Sequence, residues 1–189
     1  VLGDATSEED IKNFISGVKE SGEIHAILHC VGSFAVRPPH AINKEAFETV
    51  ISTNLTSAFL TLSIAGKAML SQGHGRMVFM SSVAGSLGLV NHEAISAAKG
   101  GVESMVRSAA ATYANRGLRI NAVAPGLTDT KLASPIMSNE TASQAASQKI
   151  PIKRVGQKEE VANVIKWLLT EAPENFTGQI LHTDGGMSN

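Results

Sequence analysis

Apolar positions in this chain follow two spacings in turn: three to four residues apart over helix-length segments, and unbroken over strand-length ones. Thr6-Ser-Glu-Glu9 reads as a capping box, in which hydroxyl and carboxylate meet the first free amides of a helix running to about Ser21, with Ile11, Phe14, Ile15 and Val18 on one face and Gly22 beyond it. Residues 24–31 are a continuous apolar run ending at Gly32, the pattern of a parallel-sheet strand buried on both faces. After Pro38-Pro39, Asn43 caps a helix carrying Phe47, Val50 and Ile51, and a small-residue helix continues over about 54–70, with Gly73 and Gly75 ending it. Residues 76–80 read as a strand, 91–115 as a helix stopped by Gly117, and 118–124 as a strand. A polar stretch over 128–148 reads as an inserted helical flap before the rhythm resumes with a helix over 158–170 and a strand over 178–183.

Such alternation implies crossover connections, a parallel sheet and helices on both of its faces. With 189 residues and 43% hydrophobic composition, one domain spanning 1–189 is expected. A net charge of −1 without a basic block argues against nucleic acid or an anionic membrane as partner. The single cysteine, Cys30, cannot close an intrachain disulfide, and the six histidines are scattered, so a cytoplasmic protein without a metal is expected. The apolar runs are strand-length, well below the roughly 20 residues of a membrane span. Three Asn-x-Thr tripeptides, at Asn54, Asn139 and Asn175, carry no weight without a signal peptide. The opening Val1-Leu-Gly-Asp4 reads as the tail of a strand entering a loop, and an upstream segment is expected.

Seven segments, in order, carry a family resemblance: Gly3-Asp-Ala-Thr6, His29-Cys-Val-Gly32, Thr53-Asn-Leu-Thr56, Ser81-Ser-Val-Ala-Gly85, Ser96-Ala-Ala-Lys-Gly-Gly101, Asn121-Ala-Val-Ala-Pro-Gly126, and Thr177-Gly-Gln179 with Asp184-Gly-Gly186. Each is weak alone, but the ordered set resembles the classical short-chain dehydrogenase/reductases. The resemblance implies an α/β, Rossmann-like three-layer fold around a parallel sheet. It also implies an oxidoreductase using NAD or NADP on a small carbonyl or alcohol.

Residue by residue, the resemblance assigns Asp4 to the adenine ring and Gly32 to the point where a side chain would collide with the cofactor. It assigns Asn54 to a proton-relay water, Ser82 to the substrate oxygen and Lys99 to the nicotinamide ribose. Pro125, Gly126, Thr128 and Thr130 are assigned to the nicotinamide ribose and carboxamide. Family members pair through two long helices, here 54–70 and 91–115, so a homodimer or homotetramer is implied. His29 and Cys30 are expected to be core substitutions.

The sequence departs from the family twice. Four residues before Lys99 the family places its tyrosine; here that position is Ile95, thirteen residues after Ser82, the usual interval. Isoleucine has no proton to give, and the only tyrosine, Tyr113, lies about 27 Å further along the helix at 1.5 Å per residue. His92, one turn before Ile95, is the candidate substitute acid. The second departure is the glycine-rich phosphate loop: none occurs in these residues, and the first strands, roughly 50 to 60 residues at about 30 per βα unit, are expected ahead of Val1. The 24–31 strand then becomes a sheet edge that upstream residues or a partner would cover. A catalytically inactive scaffold serving as a binding module or a structural subunit is the alternative reading. The sequence does not choose between NAD and NADP.

Overall fold

The computed structural model describes residues 2–189. Its elements follow the alternation: α1 (Glu8–Ser21), β1 (Ala26–His29), α2 (Lys44–Ile51), α3 (Ser57–Gln72), β2 (Gly75–Met80), α4 (Glu93–Tyr113), β3 (Leu118–Pro125), β4 (Thr128–Asp129), α5 (Ser134–Met137), α6 (Glu140–Lys149), β5 (Gly156–Gln157), α7 (Lys158–Thr170) and β6 (Ile180–Thr183). Four strands form a parallel sheet in the order β1-β2-β3-β6. The register sets His29 beside Phe79 and Phe79 beside Ala122, so the carboxyl ends of β1, β2 and β3 lie level.

Helices cover both faces. Ile11 and Ile15 of α1, Ala65 and Met69 of α3, and Val102 and Val106 of α4 bury Met77, Phe79, Leu118 and Ile120 on one side. On the other side Val161, Ile165 and Leu168 of α7 pack on Val78 and Val123. Phe79, Met77 and Ile120 are wholly buried, and each such side chain is worth about 1.5–3 kcal/mol. This is the three-layer Rossmann-like architecture the resemblance implies.

Several local expectations are corrected. The cap of α1 is Ser7, whose hydroxyl accepts from the Asp10 amide, because Thr6 is already bonded to Asp4 through both its N–H and its hydroxyl. Phe14 faces outward, 47% exposed. β1 is not buried on both faces: Leu28 stands beside Val78 on the α7 side, where it is 43% exposed, since β1 lies at the edge of the four-stranded sheet. Leu2 to Asp4 form no strand, and Val1 lies outside the described residues. Cys30 is exposed and therefore not a core substitution.

α2 and α3 join into one helix, Lys44–Gln72, long and apolar enough by composition to cross a membrane. The length was hidden by reading two shorter helices. Its inner side, with Ala58, Leu62, Ala65 and Met69, belongs to the sheet-covering core. Gly73 stops it with φ +81, and Gly117 stops the α4 segment with φ +87. The two stops meet: a Cβ on Gly117 would lie 1.8 Å from the Gly73 carbonyl oxygen.

The 128–148 stretch is helical, with α5 and α6 between two short strands. Those strands pair: Thr128 with Gly156 and Asp129 with Gln157. Arg154 grips Glu160 through two bonds of 2.9 and 2.6 Å, which holds the Glu160 carboxyl down at about 2, with the Gln157 amide adding to the effect. The segment is thus clamped at both ends, while α6 itself buries no residue.

Candidate active site

Three residues distant in sequence meet beyond the level carboxyl ends of the strands. A Cβ placed on Gly32, in the loop after β1, would stand 3.0 Å from Asn54 Oδ1 and 3.5 Å from Lys99 Nζ. Asn54 comes from a π-helical turn, Ser52–Thr56, that interrupts the long helix, and the Ser57 amide there reaches back five residues to the Ser52 carbonyl. Such turns re-aim a side chain within a continuous helix. Asn54 is 1% exposed and held by three bonds: Oδ1 accepts from the Ser33 amide at 3.0 Å, and Nδ2 donates to Ser33 Oγ at 2.8 Å and to the Val50 carbonyl at 3.0 Å.

Lys99 projects from α4 and donates to the Met80 carbonyl at 2.8 Å, pinning the ammonium to the end of β2. Burial pushes its pKa down to about 8, the neighbouring Cys30 opposing the shift. Burial pushes the Cys30 thiol up, with Lys99 working against it. His29, 4% exposed, is driven to about 4 by burial and by the Lys99 charge. Ser57 Oγ donates to the Thr53 carbonyl at 2.6 Å, so His29 Nε2 must donate to Ser57 Oγ and Nδ1 accept from Thr61. A neutral imidazole fulfils both bonds.

Ser82 follows β2, half-buried, its Oγ accepting from the Ala84 amide at 3.2 Å. Its neighbour Ser81 is buried and bonds the Glu103 carboxylate at 2.9 Å, with the Lys99 carbonyl 3.3 Å away. Glu103 is a site residue the sequence reading missed, although its position four residues after Lys99 on the face of Val102 and Val106 marks it as inward-facing. Gly85 makes room for it, since a Cβ there would lie 2.6 Å from Glu103 Oε1.

Ile95 is buried in a small apolar cluster with Val50, Ala84, Ala94 and Ala98. Tyr113 packs against the large core at the far end of α4. His92 is the residue before α4, half-buried, with Nδ1 2.7 Å from the Val90 carbonyl.

The other family-assigned residues are held by bonds of their own. Asp4 is exposed at the foot of α1, its carboxyl held below the usual range by the Thr6 amide and hydroxyl. Pro125 ends β3 opposite Thr183, and the Gly126 amide donates to the Thr183 carbonyl at 3.2 Å. Thr128 donates to the Gly126 carbonyl and Thr130 to the Thr128 carbonyl, so both hydroxyls serve their own turn. Away from this end of the sheet, the fold gathers Glu23, His25 and His74, which no linear spacing reveals; His74 pairs with Glu23 at 3.2 Å and stacks on His25.

A parallel sheet whose strand ends gather a glycine, a buried asparagine and a lysine defines a nucleotide-binding type of Rossmann protein. Comparison with known proteins narrows the class. The family model described as Enoyl-(Acyl carrier protein) reductase matches residues 1–188. A cis-4-hydroxycyclohexanecarboxylate dehydrogenase of Sinomonas cyclohexanicum is 37% identical over 98% of this chain and 75% of its own length. The 3-oxoacyl-[acyl-carrier-protein] reductase MabA of Mycobacterium tuberculosis is 35% identical over 97% of this chain and 74% of its own. A chloroplastic tropinone reductase homolog of Arabidopsis thaliana is 33% identical over 99% of this chain, which spans 58% of that relative. Among solved structures, a short-chain type dehydrogenase/reductase from Mycobacterium ulcerans superposes with a TM-score of 0.92 at 29% identity, covering 98% of this chain and 68% of that one. ElxO with NADP bound superposes at 0.93 and 28% identity, covering 99% and 77%. The chain belongs to the classical short-chain dehydrogenase/reductase family of oxidoreductases.

Proposed function

We propose that the protein is an NAD(P)-dependent oxidoreductase that interconverts a small carbonyl compound and its alcohol. The observation that carries this reading is the convergence at Gly32, where a Cβ would stand 3.0 Å from Asn54 Oδ1 and 3.5 Å from Lys99 Nζ. A nicotinamide ribose binds beside this cluster, against an ammonium already fixed by the Met80 carbonyl. The dinucleotide supplies the hydride when bound. Asp4 faces the adenine end, and the turn of Pro125, Gly126, Thr128 and Thr130 holds the carboxamide end. Solved relatives support a dinucleotide seat: ElxO holds NADP, and its Tyr→Phe variant holds NADPH.

Ser82 orients the substrate oxygen and Asn54 holds the water that connects it to Lys99. Because Ile95 offers no proton, His92 delivers it. Its Nδ1 is occupied by Val90, which leaves Nε2 without a protein partner among the described residues. The 128–148 flap closes over the substrate, and α3 and α4 pair two subunits; Phe59 of α3, 56% exposed, supports that pairing. The burial of Ile95 among alanines and Val50 favours one rival, a scaffold that binds the dinucleotide without turnover.

The test titrates the complete natural chain with NADPH and NADH, then follows reduction of a panel of small ketones. Binding with turnover that His92→Ala lowers by about 10² or more supports the reading. Binding without turnover selects the scaffold, and turnover unaffected by His92→Ala removes that residue from the chemistry.

A further inference from the structure

Two cavities that share Arg37 and Ile42 open beside the Asn54 and Ile95 group, an inner one that reaches Val50 and an outer one that does not. The inner one, about 360 Å³, is walled by Phe34, Ala35, Val36, Ile42, Val50 and Pro135, with Arg37 as its only charged residue. The outer one, about 280 Å³, shares Arg37 and Ile42 and ends against Asn43, Lys44, Glu93 and Ala94. The inner cavity touches the proposed site directly: Val50 packs in the Ile95 cluster and its carbonyl receives the Asn54 amide. Pro135 contributes a wall from the clamped flap.

We propose that this cavity binds the apolar stem of a substrate whose far end is a carboxylate, held by Arg37. Three observations converge. Arg37 is exposed at the cavity rim and makes no ion pair or side-chain hydrogen bond among the described residues, whereas its fellow cation Lys44 is engaged by Glu48 at 3.4 Å. A planar guanidinium matches a carboxylate with two parallel bonds. The outer cavity also meets the first residues of two helices, α2 at Asn43 and Lys44 and α4 at Glu93 and Ala94, and helix starts carry partial positive charge that favours an anion. Glu93 is the one acid in that lining, and it makes no ion pair with Arg37. A volume of this size suits a small organic molecule, and its walls suit aliphatic or alicyclic carbon. The substrate class is therefore a hydroxy or oxo acid whose reacting carbon and carboxylate are separated by several carbons.

The inference rests on the carbonyl–alcohol chemistry proposed above, and the experiment separates the two. Binding is measured first, by calorimetry on the complete protein with its dinucleotide, using hexanoate and hexanamide, which share a stem and cannot be reduced. Tighter binding of hexanoate, by about ten- to a hundredfold, is expected, and Arg37→Ala should bring the two within about threefold. Turnover is then compared for 7-oxooctanoate and its methyl ester, and the acid-to-ester ratio of kcat/KM should collapse in the same variant, while Arg37→Lys restores part of it. Arg37-dependent hexanoate binding without any turnover upholds the anion site and overturns the oxidoreductase reading. Turnover of ketones with no acid preference, or a preference that survives Arg37→Ala, overturns the anion site and leaves the chemistry standing.

Discussion

The Lys99 ammonium is bonded to the Met80 carbonyl at 2.8 Å, which ties the middle of one helix to the exit of a central strand. Holding that ammonium in a buried place costs stability, and the cost has a sign that pH reveals. Its folded pKa of about 8 lies below the ordinary 10.5, so between these values the unfolded chain holds the extra proton. Stability contributed by this group therefore rises as pH climbs from about 8 toward 10.5, and the penalty is complete below 8. Denaturant titrations of the protein and of Lys99→Met across that window should diverge, the parent gaining on the variant. Parallel curves would show that the ammonium is solvated.

His29 acts with the same sign lower on the scale, because it too is a base whose charged form burial disfavours. With a folded pKa near 4 against 6.5 unfolded, it leaves the protein progressively less stable as pH falls from 6.5 toward 4. The bonds to Ser57 and Thr61 also fix the Nε2–H tautomer. Nitrogen NMR of the labelled imidazole at pH 6 should show that tautomer, neutral; a protonated ring there would contradict the assignment.

Much of this was legible from residue order, for reasons that particular positions make clear. Strand-length runs and helix periods gave the parallel architecture, and Gly73 and Gly117 marked helix ends correctly. That Gly117 lies on the Gly73 carbonyl is a tertiary fact no local signal holds. The same limit hid the π-helical turn at Asn54, which has no sequence signature, and the pairing of Arg37 with an apolar cavity. Local competition misled elsewhere: Thr6 looked like a cap, but Asp4 claims it first and Ser7 takes the role. Hydrophobicity alone could not tell a central strand from an edge strand, so Leu28 was read as buried.

Gly85 leaves room for the buried Glu103 carboxylate, a close approach that substitution can test. A methyl on Gly85 would stand 2.6 Å from Glu103 Oε1 and 3.1 Å from the Lys99 backbone carbon, and that backbone cannot yield. Gly85→Ala is expected to cost about 1–3 kcal/mol, as overpacking does. Gly85→Ala combined with Glu103→Ala should recover part of it in thermal unfolding. No recovery would mean that the helix backbone, rather than the carboxylate, sets the clash.

Ile95→Tyr addresses the missing acid. The position is 7% exposed and its neighbours are alanines and a valine, so the larger ring is expected to cost about 1–3 kcal/mol. Against that cost stands a gain: a phenol at this helix position is expected to raise carbonyl reduction by about 10² or more. Pre-steady-state hydride transfer measured with NADPH reports the chemical step separately from folding. A stable, folded Ile95→Tyr protein with no faster hydride transfer would place the acid elsewhere.

Gly32→Ala is the sharpest probe of this close approach. No positive φ is needed at Gly32, so alanine brings no backbone strain, and its methyl would meet only Asn54 Oδ1 at 3.0 Å and Lys99 Nζ at 3.5 Å. The lysine is a long, flexible side chain that can yield, whereas Asn54 is held by three bonds and must be displaced slightly. Thermal stability should therefore fall modestly, by about 1 kcal/mol or less. Dinucleotide affinity should fall far more, about tenfold or beyond, because the methyl pushes on Asn54 and Lys99, the residues proposed to face the ribose. Equal losses in both quantities would reduce Gly32 to a packing residue; a large loss of affinity with a nearly unchanged melting temperature would mark this cluster as a binding seat.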